Sequence, residues 1–163
     1  METRNIAIIV LLIVGIVSYA VVHGVIIPKM DENRQQYIAE QLNPSTHDLE
    51  SILKYKNKYM GNASNLINLF HSLPLSNAGT KFQLFSDQLT VEVDYQQTVS
   101  NIGETKVEKA LIYNATAAFD LIDNLKALNF IFPDSSSYKV NREDVERWYG
   151  VKVSYLLSKD IWK

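Results

Sequence analysis

The hydrophobic pattern changes character three times along this chain. Residues 6–27 are apolar almost without a break, interrupted only by Gly15, Ser18, Tyr19, His23 and Gly24. As a helix such a run rises about 30 Å, the thickness of a bilayer's hydrocarbon core, so the pattern predicts a transmembrane helix over residues 6–27 behind a head of residues 1–5. A cleaved signal peptide is the competing reading, because Ser18 and Ala20 occupy small-residue positions that a peptidase accepts. Val21, Val22, Val25, Ile26 and Ile27 carry the apolar run past that cut, where a signal peptide turns polar, and this favours an uncleaved anchor.

Pro28 is expected to end the span, and residues 28–45 read as a polar juxtamembrane stalk punctuated by Asn43-Pro44. The body is then residues 46–163. Ser45 with Asp48 suggests a capping box for a helix whose Leu49, Ile52, Leu53 and Lys56 share a face. Gly61-Asn62 breaks it, and Asn62 caps a second helix with Leu66, Ile67, Phe70 and Leu73 on its apolar stripe, stopped by Pro74. Period-two alternation marks strands at residues 81–86 and 89–95, joined as an antiparallel hairpin through Ser86-Asp87-Gln88.

Thr105 and Glu108 read as a capping box for the main helix, on which Val107, Leu111, Ala115, Ala118, Ile122 and Leu125 repeat at helical steps. Leu128, Phe130 and Phe132 alternate as a third strand, and residues 138–140 return as a fourth after a polar turn. Asn141 with Asp144 caps a last helix carrying Val145, Trp148 and Tyr149, closed by Gly150. Residues 151–163 fit a strand or a helix equally. The fold class is α+β: an N-terminal transmembrane helix, then a small antiparallel four-stranded sheet packed on one long helix, with additional short helices.

Composition narrows the functions. The 163 residues, less the span, suffice for one domain. Lys and Arg number 16 against 18 Asp and Glu, a net charge of -2, so no global field draws the chain to nucleic acid. Cysteine is absent, which excludes disulfides, thiolate metal sites and a cysteine nucleophile.

Catalytic constellations are missing at the level of motif. His23, His47 and His71 lack metal-ligand spacing, no Gly-x-Ser-x-Gly occurs, and the six glycines are scattered singly. Asp120, Asp123, Glu143, Asp144 and Glu146 supply acids that a hydrolase could use, with His71 as a partner, but charged helix faces and acid-rich helix N-termini explain them as well. No catalytic residue, cofactor or metal ligand is therefore assigned. The run Lys54-Tyr55-Lys56-Asn57-Lys58-Tyr59 interleaves cations with aromatics. Lys54, Tyr55, Lys56, Lys58 and Tyr59 are the candidate binding residues, suited to lipid headgroups, an anionic wall polymer or an acidic partner. Alternatively the lysines complement a helix C-terminus and the tyrosines pack inward.

Several blocks carry a family likeness: Ile52-Leu53-Lys54-Tyr55-Lys56 with Tyr59 and Gly61-Asn62, Leu73-Pro74-Leu75, Leu111-Ile112-Tyr113-Asn114-Ala115-Thr116 before Phe119, and Arg142-Glu143-Asp144 running to Tyr149-Gly150. In this order and spacing they resemble a bacterial domain of unknown function, the family numbered 4825, over residues 46–150. The resemblance implies a Gram-positive, membrane-anchored or secreted extracytoplasmic domain and brings no catalytic residues.

The expectation is a single-pass protein of the cell membrane, held in lipid through residues 6–27, whose body lies outside the cytoplasm. Its role would be a non-catalytic binding or accessory module for an envelope protein or anionic wall polymer. A secreted ligand trap released after Ala20 and an envelope hydrolase of unrecognised type are the alternatives. Basic residues flank the span almost evenly, with Arg4 before it and Lys29 and Arg34 after it, so the orientation rests on the short head and long tail. N-terminal sequencing of the mature membrane-bound protein checks retention of the anchor: the chain should begin at or beside Met1, and a start at Val21 would show cleavage.

Overall fold

Inside a bilayer every backbone group must find its partner within the segment, so an apolar run of this length is driven into a helix. The computed structural model describes the backbone of residues 2–156 and the side chains of residues 5–156. Helix α1 (Glu2–Val21) leads through a π-helical turn, Val22–Ile26, into α2 (Ile27–Gln41). Pro28 therefore does not stop the helix. The turn before it is widened, with the Ile27 N–H bonded to the Val22 carbonyl, and Pro28 falls in the first turn of α2, where a missing donor is tolerated. Among the described residues one helix, Asn5–Gln41, is long and apolar enough to cross a membrane by length and composition. The chain divides into two compact units between Ala39 and Glu40.

In the second unit the expected cap at Ser45 is displaced. Asn43 consumes the local donors: its Oδ1 accepts from the Ser45 N–H and its carbonyl from those of Thr46 and His47. Asp48 takes over as cap, its Oδ1 accepting from the Glu50 N–H at 3.0 Å, and the segment it caps is a 3-10 helix, Leu49–Tyr55. Helix α3 (Ala63–His71) begins as the sequence predicts, with Asn62 Oδ1 accepting from the Asn65 N–H.

The sheet has strands β1 (Thr80–Phe85), β2 (Thr90–Tyr95), β3 (Ala127–Ile131) and β4 (Ser137–Asn141), in spatial order β1-β2-β3-β4. Both hairpins are antiparallel as expected, but β2 and β3 run parallel, so the sheet is mixed and open rather than antiparallel. The reason lies in the connection. Helices α4 (Val99–Ile102) and α5 (Glu104–Leu121) fill it, and an 18-residue helix carries the chain about 27 Å back to the end at which β2 began. The Thr105–Glu108 box does not form either. Gly103, at φ 100°, holds the N-cap position between α4 and α5, a conformation that side chains disfavour, and α5 starts with Glu104.

Strand register builds the core in rows. Phe82, Val93, Phe130 and Tyr138 align across the sheet, as do Leu84, Val91, Leu128 and Val140, and these join one hydrophobic cluster. The intervening row, Gln83, Glu92, Asn129 and Lys139, is polar and faces the other side. Helix α5 is amphipathic over its first half but buried all round from Tyr113 to Leu121, with Ala115, Ala117 and Ala118 where neighbours approach closely.

A helix that ends inside a body leaves carbonyls that need donors. Arg142 supplies them. Its Nη2 donates to the carbonyls of Phe119 and Ile122, its Nε donates to that of Leu125 at 2.7 Å, and its backbone N–H donates to the Lys126 carbonyl. The guanidinium also lies over the Phe119 ring, 5.4 Å from its centroid. Arg142 opens α6 (Arg142–Tyr149), which Gly150 terminates in the left-handed conformation at φ 72°. Asn141 spends its side chain on Asp144 rather than on a backbone N–H. Of the ambiguous final stretch, Val153–Tyr155 forms a 3-10 turn with Val153 and Leu156 buried, while residues 157–163 lie outside the described residues.

Arg142→Ala is expected to lower the unfolding free energy by about 3 kcal/mol, since charge-assisted bonds to buried carbonyls are lost. Urea titration of the full chain in detergent should show a lower midpoint at unchanged slope. Arg142→Lys should recover only part of it, because an ammonium cannot fork across the same acceptors.

Candidate functional site

The Lys54–Tyr59 run leaves the 3-10 helix and crosses the end of α5. Its backbone is pinned there: the Asn57 N–H donates to the Leu121 carbonyl at 2.8 Å, the Asp123 N–H donates to the Asn57 carbonyl at 3.1 Å, and Asn57 pairs with Ile122 as a parallel bridge. Asn57 Oδ1 accepts from the Tyr59 N–H, and Asn124 Oδ1 accepts from the Met60 N–H at 2.7 Å, which locks the buried Met60 behind the run. The result is a ledge, fixed along its backbone and open on its outer side.

Side chains on the ledge divide. Lys54, Lys56, Lys58 and Tyr59 are exposed, Tyr59 at 59%. Among the described residues no carboxylate lies within ion-pair distance of these three lysines; the ion pair seen is Arg147 with Asp144. The ammonium groups of Lys54 and Lys58 stand over the rings of Tyr55 and Tyr59, at 5.1 and 5.5 Å. Tyr55 behaves differently. It is half-buried, its hydroxyl accepts from Ser72 Oγ, and its carbonyl accepts from Asn65 Nδ2 at 2.6 Å. The inward-packing alternative thus describes Tyr55, while the other four residues face solvent.

Asp120 lies beneath this ledge. Read from sequence as one of two acids on a charged helix surface, it is instead buried, because α5 is enclosed on every side at this level, whereas Asp123 is exposed. Among the described residues Asp120 Oδ1 has no hydrogen-bond partner. Burial pushes its carboxyl up to about 6; Lys56 and Arg142 oppose the shift and Asp123 adds to it. Burial also lowers the Arg142 guanidinium, against the attraction of Glu146, Asp123 and Asp120. Lys56 and Asp120, named separately in the sequence, are brought within electrostatic reach of each other.

The other candidates stay dispersed. His71 is exposed and packs edge-on against Phe82 at 5.9 Å. Glu143 is exposed, Asp144 pairs with Arg147, and Glu146 Oε1 accepts from the Val153 N–H. His47 is partly buried between Ser72 and Tyr113. Among the described residues no group of three or more His, Cys, Asp or Glu could hold a metal ion. A groove of ≈ 330 Å³ opens elsewhere, between Pro44 and Ser45, the α5 residues Lys109, Ile112 and Tyr113, and Tyr149.

These pinned contacts join segments far apart in sequence, and a family model spans them. The model described as "Domain of unknown function (DUF4825)" matches residues 52–143. The chain belongs to the DUF4825 family. The matched DUF4825 region opens in the 3-10 helix and closes in the first turn of α6, so it contains the ledge, the sheet, α5 and Arg142. Within it the blocks that carry the family likeness meet: Asn114 Nδ2 donates to the Pro74 carbonyl at 2.7 Å, and Arg142 reaches the carbonyl of Phe119. Comparison with curated proteins and with solved structures returns no match.

A carboxyl that keeps its proton to about 6 when folded and to ~4 when unfolded makes the fold lose stability as pH rises through that window, the lower level persisting above it. Asp120→Asn should remove the loss, raising stability at pH 7.5 by on the order of 2 kcal/mol and leaving pH 4 little changed. Thermal or urea unfolding at the two pH values checks it.

Proposed function

We propose that this protein is a membrane-anchored, extracytoplasmic accessory module of a Gram-positive cell envelope, which uses the ledge to hold an anionic wall polymer. One observation carries the reading: three lysines are displayed on a pinned backbone with no ion pair to a carboxylate among the described residues, the buried Asp120 acting on Lys56 only at longer range. Surface lysines commonly find local acids, and holding like charges together without them costs Coulomb energy. A polyanion repays that cost by binding, and exposed Tyr59 adds a face for a sugar or glycerol unit.

The anchor supports the compartment. A long apolar helix, with side chains such as Leu11 70% exposed, needs lipid around it. Catalysis is not part of this role, since Asp120 and His71 lie on different parts of the body, Asp120 at the end of α5 and His71 against Phe82.

Co-sedimentation of the full chain in zwitterionic nanodiscs with poly(glycerol phosphate) tests the proposal. The wild type should be retained at low salt and released as salt rises. The combined Lys54→Ala, Lys56→Ala and Lys58→Ala variant should bind roughly tenfold more weakly, about 1.4 kcal/mol shared among three exposed charges. Equal retention of wild type and variant, or equal retention by a neutral polysaccharide, would overturn it.

A further inference from the structure

Between the long helix and the body the chain makes a tight, hydrogen-bonded passage. Thr46 Oγ1 donates to the Glu40 carbonyl at 2.8 Å, Gln41 Oε1 accepts from the Asp48 N–H at 3.1 Å, and the Thr46 and His47 N–H groups both donate to the Asn43 carbonyl. His47 ties this passage to the rest of the body. Its Nε2 lies 2.7 Å from the Ser72 carbonyl at the end of α3, and its Nδ1 lies 2.7 Å from the Tyr113 hydroxyl on α5. The two rings meet edge-on at 5.2 Å.

The partners dictate the tautomer. A carbonyl can only accept, so Nε2 carries the hydrogen, and Nδ1 is the bare nitrogen to which the Tyr113 O–H donates. The neutral ring is satisfied at both nitrogens. A proton added at Nδ1 turns that acceptor into a donor, forces the Tyr113 hydroxyl to reverse, and places a charge in a partly buried position.

The surroundings oppose that charge on balance. Burial lowers the His47 pKa, while the Ser72 carbonyl and Asp48 act the other way. Of the two acids on the same segment, Asp48 is the one that acts on the ring, and Glu50 is exposed. From α5 the facing group is Tyr113; from the end of α3 it is the Ser72 carbonyl, whose own Oγ is engaged with the Tyr55 hydroxyl. His71, next in chain to Ser72, is turned toward Phe82.

We infer that His47 is a pH-operated latch, which clamps the passage over residues 43–51 onto α3 and α5 when neutral and releases it when protonated. The sign comes from the geometry: the neutral form is the bonded form, so the clamp holds above the range in which His47 titrates and weakens as pH falls through it. The released stretch is the entry to the body, so acidification loosens residues 43–51 and leaves the sheet intact.

Hydrogen exchange of the full chain in nanodiscs, at pH 7.5 and 5.0 and corrected for intrinsic exchange, tests the latch. Thr46, His47 and Ser51, whose amides are bonded in the clamped form, should lose protection at least about threefold on acidification. His47→Gln can still donate to Ser72 and accept from Tyr113 but does not titrate, so its protection should not change with pH. The loss should persist in Asp120→Asn, which removes the carboxyl that burial pushes up to about 6. Should His47→Gln fail to fold, nitrogen-15 spectra of wild-type His47 serve instead: Nδ1 should be the bare nitrogen at pH 7.5, and loss of protection should track its titration. Protection equal at both pH values, an equal loss in His47→Gln, or Nε2 as the bare nitrogen would overturn the latch.

Discussion

The last turn of α5 carries the architecture. A buried helix terminus is costly unless its carbonyls are met, and here two separate segments meet them. Arg142 reaches in from the start of α6 to the carbonyls of Phe119, Ile122 and Leu125, while the ledge backbone takes that of Leu121 through Asn57. One helix end thus holds β4 and α6 on one side and residues 56–60 on the other. The backbone that carries the ledge lysines is held in place because the Asn57 N–H meets the Leu121 carbonyl.

The same enclosure explains the electrostatics. A helix buried all round at its C-terminal half drags Asp120 out of water, and two nearby cations only partly offset the cost. Removing either cation would leave the carboxyl more unfavourably placed. Arg142 therefore has two tasks, capping a helix and moderating a buried acid. His47 obeys a related logic beside Tyr113 of the same helix: a polar side chain is tolerated in a partly buried position because both of its nitrogens are bonded, and that dependence makes its protonation consequential.

Local physics was legible in the sequence where it acts over a few residues. Alternation found all four strands, Asn62 announced α3, and Gly150 marked the end of α6. What needed the fold was what depends on distant partners. The parallel pairing of β2 with β3 results from the path of α5, not from either strand's own pattern. Ser45 and Thr105 look like caps, yet Asp48 and Gly103 hold those cap positions. Arg142 in the first turn of a helix reads as a poor choice against the macrodipole until its acceptors on α5 are seen. The exposed lysines of residues 54–59 were legible as a basic run, whereas the inward turn of Tyr55 and the burial of Asp120 were not, because both are set by helices that pack from far along the chain.

The Arg142 guanidinium is bound at the end of α5, and its own nitrogens report on it most directly. In an Arg-selective nitrogen-15 spectrum of the full chain, Arg142 should show a slowly exchanging Nε–H and Nη2 hydrogens distinct from those of Nη1. Averaged, rapidly exchanging guanidinium signals like those of a solvated arginine would contradict it.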